Sequence, residues 1–152
     1  MSTLTRVRLW LVVFVTGLVV SGVTAFPLEA ETRLLARLLD GDWFDRVHEG
    51  VAQTNNAYPF MAYGTDWLAF AHLVIAVAFW GPIRDPVRNV WVVHWGMISC
   101  AAVVPLALIA GAVRGIPWGW RLIDISFGVI GIVPLLFARR GIRELGCAGP
   151  ER

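Results

Sequence analysis

Five polar side chains lie in or beside otherwise apolar stretches of this sequence, and their types could bind an anion, relay protons or hold a metal. They are two aspartates, one histidine and two arginines: Asp66, His72, Arg114, Arg121 and Asp124. Imidazole exchanges a proton near neutral pH, and guanidinium groups bind carboxylates and phosphates. We treat these five as candidates for a ligand or proton site, and the sequence assigns no catalytic residue.

Asp124 is the most informative of the five. Its neighbours at helical spacing are Gly128 and Gly131, and small residues let two helices approach closely. Asp124 is therefore predicted to face another helix, because a carboxylate facing lipid would be costly. An ion pair with Arg121 that fixes the helix is one interpretation. A site for an anion or a proton relay is the other.

His72 has Ala69 and Ala76 at helical spacing, so it is also predicted to face protein. Asp66 is interpreted mainly as a helix start at the water boundary, where Thr65 or Asp66 would cap the helix, with a functional role as the alternative. A haem held by His72 and His94 would require similar depths, yet their positions differ by roughly 7–8 Å along the helix axes. We therefore expect no haem or other cofactor.

A metal site is not predicted either. Two carboxylates and one imidazole are a conceivable ligand set, but their spacing matches no known pattern. The two cysteines form no CxxC pair, and the sequence contains no nucleotide-binding loop, zinc-protease or hydrolase motif. Nucleic-acid binding is not expected, since the net charge is only +2.

The elements that carry these residues are four apolar runs. The chain is 57% hydrophobic and 16% charged, whereas soluble domains carry roughly 25% charged residues. The runs predict membrane-spanning helices at about residues 8–26, 66–81, 87–112 and 120–138. The predicted fold is an all-α integral membrane four-helix bundle, forming one domain over residues 1–152.

The first run has a second interpretation. "MSTLTRVR" is a basic start, and "VTA" before Phe26 resembles a signal-peptide cleavage site. Gly17, Ser21 and Gly22 provide the small-residue spacing of a packed helix, which favours a retained span.

The loop over residues 27–65 is predicted to contain two short amphipathic helices, which lie on the outer membrane surface or cap the bundle. The first has a leucine stripe that includes Leu34 and Leu38, and it stops at Asp40-Gly41. The second is expected to start with Asp42 as its N-cap. Asp85 is likewise expected to cap the third span.

Arginines predict the orientation of the chain. They precede the first span, occupy the link between the second and third spans, and follow the fourth span. Because cytoplasmic loops are rich in basic residues, both termini are predicted to be cytoplasmic. The loop over residues 27–65 is then outside.

Three runs, "YPFMAYGTDWLAFAHLVIA", "GPIRDPVRN" and "GIPWGWRLIDISFG", resemble a family of small four-helix bacterial inner-membrane proteins that has no assigned activity. The likeness covers roughly residues 54–137. It implies the topology and a bacterial origin, and it implies no site residue.

We therefore expect a multi-pass protein of the bacterial inner membrane that acts as a binding or partner subunit, with a polar site in the outer half of the bundle. The alternative is a membrane-embedded enzyme or transport element that uses His72 and Asp124 for proton or metal chemistry. The expected partners are the lipid bilayer and a membrane protein or a second copy of the chain.

Overall fold

Helices account for nearly the whole chain, as the long apolar runs predict. The computed structural model describes residues 1–147, and the last five residues of the predicted domain, 148–152, lie outside this part. No strand occurs between residues 1 and 147, so the predicted all-α class is confirmed. The helices are α1 (Thr3–Ala25), α2 (Leu28–Leu38), α3 (Asp42–Ala57), α4 (Ala62–Ala78), α5 (Trp80–Arg84), α6 (Val90–Val113) and α7 (Trp118–Cys147).

Four helical stretches are long and apolar enough to cross a membrane: Thr3–Ala25, Pro59–Arg84, Val90–Val113 and Trp118–Cys147. The shortest has 23 residues, and a bilayer core requires about 20. Large apolar side chains on these helices are exposed, for example Val77, Ile98 and Val113 at 73%, 68% and 78%. Soluble proteins rarely expose such surfaces, whereas lipid covers them. The four helices that the sequence predicts are therefore present, each long and apolar enough to span a membrane.

The third span begins later than the sequence predicted. Asp85 does not cap it, because α6 starts at Val90 with Asn89 as the preceding residue. The Asp85 carboxylate instead accepts a hydrogen bond from the backbone N–H of Arg88 at 3.2 Å. Residues 86–89 form a turn, so this aspartate stabilises the turn between α5 and α6.

Three other boundaries also differ from the prediction. Asp66 lies inside α4 and caps no helix, because the 3₁₀ turn Pro59–Met61 leads directly into a helix that begins at Ala62. Gly41 is the N-cap of α3, and Asp42 is its first residue. There its carboxylate can still interact with the positive end of the helix. The helix that carries the fourth predicted span, α7, continues past residue 138 to Cys147, because helical hydrogen bonding does not stop where apolar composition ends.

The chain forms two compact units, of which the first comprises residues 1–17 together with the chain from Ala78 onward. Its core contains Leu11, Phe79 and Leu135, none of which is exposed. Close packing here depends on glycine: a Cβ at Gly128 would lie 2.5 Å from the carbonyl oxygen of Cys100 on α6. The face of α7 that carries Gly128 therefore packs directly on α6.

The second unit comprises Leu18–Val77. Here the last part of α1 meets α4, since a Cβ at Gly22 would lie 2.9 Å from the carbonyl oxygen of Ala69 and 3.1 Å from Cβ of His72. The segment after α1 folds back on itself as α2 and α3, which pack against each other. Thr32 of α2 is buried in this contact, and its Oγ1 lies 3.5 Å from Nδ1 of His48 on α3.

Candidate functional site

The five candidate residues from the sequence are divided between the two units. Asp66 and His72 belong to the second unit, and Arg114, Arg121 and Asp124 belong to the first. Their roles as one site therefore stay a prediction, and each residue is described within its own unit.

His72 is half-buried on the face of α4 that also carries Ala69 and Ala76, which are 0% and 7% exposed. Its Nδ1 lies 2.9 Å from the carbonyl oxygen of Leu68. A carbonyl oxygen only accepts hydrogen bonds, so Nδ1 carries the proton. Nε2 makes no hydrogen bond with any residue in the described part of the chain. Its lone pair is therefore available to a hydrogen-bond donor or another ligand.

Arg121 is held by the turn that precedes it. Its Nε donates a hydrogen bond of 2.7 Å to the carbonyl oxygen of Ile116. Its guanidinium carbon lies 5.7 Å from the ring centroid of Trp118, and its aliphatic part covers Gly111, where a Cβ would lie 2.9 Å from Cδ. Arg121 thereby stabilises the packing of the end of α6 against the start of α7.

The expected ion pair between Arg121 and Asp124 does not form: within residues 1–147, Asp124 has no salt bridge or hydrogen bond through its side chain. The reason is geometric, because the Ile116 carbonyl and the Trp118 ring already hold the guanidinium. Asp124 is half-buried. Gly128 and Gly131, at its helical spacing, both pack against Cys100 of α6.

Arg114 lies in the turn after α6, where its backbone N–H bonds to the carbonyl oxygen of Ala110 at 2.9 Å. Its side chain is exposed and contacts no other described residue through a hydrogen bond or an ion pair. Within residues 1–147, the side chain of Arg114 therefore makes no polar contact that would stabilise the fold.

A cleft of about 790 Å³ opens in the second unit, and we call it the α2–α3 cleft. Its walls come from the end of α1, from α2 and α3, and from the start of α4. The apolar part of the lining includes Phe26, Leu28, Val47, Val51 and Met61, and the polar part includes Glu29, Arg33, Arg46, Thr54, Asn55 and Asp66. Small-molecule sites commonly have roughly 300–1,000 Å³ and combine apolar walls with a few polar groups.

One wall of the cleft is fixed by a polar network around Glu29. Asn55 donates a hydrogen bond of 3.0 Å to Oε2, and Arg33 donates one of 2.9 Å to Oε1. The hydrogen bond from Asn55 lowers the pKa of Glu29, and Arg33 lowers it further through its hydrogen bond and charge, while desolvation acts in the opposite direction. Glu29 and Arg33 are thus already paired with each other.

Two charged side chains in the lining have no such partner. Arg46 is exposed and Asp66 is half-buried, and neither makes a hydrogen bond or salt bridge through its side chain within residues 1–147. They carry opposite charges. A ligand that enters the cleft therefore meets one cationic and one anionic side chain that are not already paired.

Sequence reasoning found Asp66 but missed the other polar groups in the cleft. Nothing in the sequence pointed to Asn55, which lies 26 positions from its partner Glu29. No group of three or more His, Cys, Asp or Glu side chains converges on a metal position within residues 1–147.

The fold places the chain in the class of multi-pass membrane proteins. Comparison with family profiles, with curated proteins and with solved structures finds no match for this chain. The resemblance to small bacterial inner-membrane proteins therefore stays a prediction, and function is argued from the site alone.

Proposed function

We propose that this chain is a bacterial inner-membrane protein that binds a small amphipathic ligand in the α2–α3 cleft. The observation that carries the proposal is the cleft itself, in which apolar walls surround the uncommitted charges of Arg46 and Asp66. The four spanning helices would form a bundle, and α2 and α3 would lie on its outer surface. Leu34 and Leu38 of α2 are 55% and 69% exposed, which suits contact with lipid.

The distribution of arginines supports the orientation. Arg8 donates hydrogen bonds to the carbonyl oxygens of Ile83 and Arg84, and Arg6 pairs with Glu144 of α7. The start of α1, the end of α5 and the end of α7 therefore share one arginine-rich end, and basic ends favour the cytoplasm. Because α1 leads away from that end, the segment that follows it would lie outside.

The charges suggest the chemistry of the ligand. The guanidinium of Arg46 would hold a phosphate or carboxylate, and the carboxylate of Asp66 would hold an ammonium group. The apolar lining, with Phe26, Val51 and Met61, would take a short hydrocarbon part. A zwitterionic amphiphile, with one anionic and one cationic group on an apolar tail, satisfies all three features.

Binding of lysophosphatidylethanolamine to the purified full chain would test this proposal. Arg46→Gln or Asp66→Asn should each weaken binding about tenfold, because each leaves a ligand charge without its partner. Arg37→Gln is the matched control, since Arg37 is an exposed residue of α2 outside the cleft lining. Equal affinities for all four proteins would refute the cleft as the binding site.

The alternative function is proton or metal chemistry at His72 and Asp124. The free Nε2 of His72 is the observation that favours it. Proteoliposomes would show proton flux that His72→Gln and Asp124→Asn abolish, while both variants still express and fold. Flux that is unchanged in both variants would remove this alternative.

A further inference from the structure

The first turns of α1 contact the last turns of α7 in the first unit, where the two helices run antiparallel. Arg6 faces Glu144 with 3.7 Å between Nη2 and Oε2. Farther along, a Cβ at Gly141 would lie 2.5 Å from Cγ2 of Val7. The rings of Trp10 and Phe137 stack with their centroids 4.7 Å apart. Residues farther along α1 thus contact residues that come earlier in α7.

A small cavity of about 150 Å³ lies along this contact, and we call it the α1–α7 pocket. It is lined by Thr3, Arg6, Val7, Trp10, Phe137, Arg140, Gly141 and Glu144. Its polar side chains come from the first turn of α1 and from the last two turns of α7. Its aromatic pair lies about one turn farther into the helices, since one turn is about 5.4 Å.

The guanidinium groups of this pocket have weak protein partners. The salt bridge of Arg6 with Glu144 is long, and the side chains are 55% and 61% exposed, so it contributes little. Nη2 of Arg6 also donates a hydrogen bond to Oγ1 of Thr3, at 3.3 Å and in an exposed position. Arg140 lies over the ring of Phe137 at 5.8 Å and, within the described residues, makes no salt bridge or hydrogen bond through its side chain. Both arginines can donate hydrogen bonds to an incoming anion.

The surroundings of the pocket are strongly basic. Five more arginines belong to this end of the first unit, namely Arg8, Arg84, Arg88, Arg139 and Arg143. Arg8 binds the carbonyl oxygens at the end of α5, and Arg139 donates to Nε2 of His94 at 3.1 Å. Among the residues described here, only Asp85 and Glu144 oppose this charge. The local potential attracts anions.

We propose that the α1–α7 pocket is a binding site for the head group of an anionic phospholipid. Arg6 and Arg140 bind phosphate oxygens, and Thr3 lies beside them as a further hydroxyl donor. The acyl chains run along the stacked rings of Trp10 and Phe137. Basic pockets between membrane helices are known to bind lipids with two phosphates in this way.

The order of the side chains along the helices favours a lipid over a free anion. A free phosphate needs only the arginines, whereas a phospholipid also needs an apolar surface on the membrane side of its phosphate. Trp10 and Phe137 provide that surface at the required position, one turn deeper than Arg6 and Arg140. Gly141 lets α7 approach α1 closely beside the pocket, because a Cβ there would lie 2.5 Å from Cγ2 of Val7.

Native mass spectrometry of the full chain with cardiolipin as the probe would test the proposal, with phosphatidylcholine as the neutral reference. Arg140→Gln should weaken cardiolipin binding about tenfold, because it removes a charge-assisted hydrogen bond to a phosphate oxygen. Glu144→Gln should strengthen it, because it removes the carboxylate that competes for Arg6. Inorganic phosphate at millimolar concentration should not displace the lipid.

Arg88→Gln is the matched control, since Arg88 is exposed at the same end but does not line the pocket. If it weakens cardiolipin binding as much as Arg140→Gln does, the lipid responds to net charge alone and the pocket is refuted. Equal binding of cardiolipin and phosphatidylcholine also overturns the proposal. Displacement by inorganic phosphate would identify a free-anion site instead.

Discussion

Asn55 of α3 donates a hydrogen bond through Nδ2 to Oε2 of Glu29 on α2, at 3.0 Å. The two residues lie 26 positions apart in the chain. Their bond joins the two helices that form the walls of the α2–α3 cleft. Because Arg33 donates to the other carboxylate oxygen, both oxygens of Glu29 accept hydrogen bonds.

Replacing Asn55 with Ala should loosen α2 from α3. The change removes the donor that links the helices and leaves Glu29 paired with Arg33 alone. Hydrogen–deuterium exchange of the α2 amides should become severalfold faster, since weaker packing makes local opening easier. Gln53→Ala is a suitable control, because Gln53 bonds only to Glu49 of its own helix. Exchange in α2 that does not change in Asn55→Ala would mean that apolar packing alone holds α2 against α3.

The carboxylate of Glu29 should also make the packing of α2 on α3 sensitive to acid. Asn55 and Arg33 lower the pKa of Glu29 below its ordinary value of 4.5, so the unfolded chain binds the proton more readily than the folded chain does. The stabilisation is therefore complete above about pH 4.5 and is lost as the pH falls through the lower, folded pKa.

The difference in thermal midpoint between the wild type and Glu29→Gln would measure this effect from pH 7 to pH 3. The wild type should be more stable at pH 7, and the difference should shrink as the pH falls below 4.5, because the unfolded chain then binds the proton before the folded chain does. A difference that stays constant over this range would show that the charge of Glu29 is irrelevant.

The spans were predictable because hydropathy and helix length are properties of each segment by itself. The close packing of the helix faces that carry Gly22 and Gly128 was predictable for a related reason, since small residues at helical spacing indicate a close contact between helices. The bond between Asn55 and Glu29 was not, because it depends on how α2 turns back onto α3. The Arg121–Asp124 pair was expected from spacing alone, and a backbone carbonyl took its place.

The contact between α6 and α7 should depend strongly on Gly128. In Gly128→Ala the new Cβ would lie 2.5 Å from a backbone carbonyl oxygen of α6, so the helices must move apart. We expect a loss of about 1–3 kcal/mol in the free energy of unfolding, as for other overpacked sites. The measurement is thermal or denaturant unfolding in detergent.

Gly119→Ala provides the matched control on the same helix, because nothing lies within 4 Å of a Cβ there. Its stability should be unchanged or slightly higher, since alanine favours helix more than glycine does. If both variants lose the same stability, backbone flexibility of α7 explains the loss, and the contact with α6 does not.

The turn between α6 and α7 should require arginine, and not only a positive charge, at position 121. Lysine has no donor at the position of Nε, which bonds to the carbonyl oxygen of Ile116 at 2.7 Å, and it would also lose the planar contact with Trp118. Arg121→Lys should therefore destabilise the protein by about 1–2 kcal/mol. Arg114→Lys, seven residues earlier in an exposed position, should have no effect.

Asp124→Asn should leave the stability contributed by Arg121 intact, because the two side chains form no ion pair. A double variant less destabilised than the sum of its two single variants would contradict this, since it would reveal direct coupling between them.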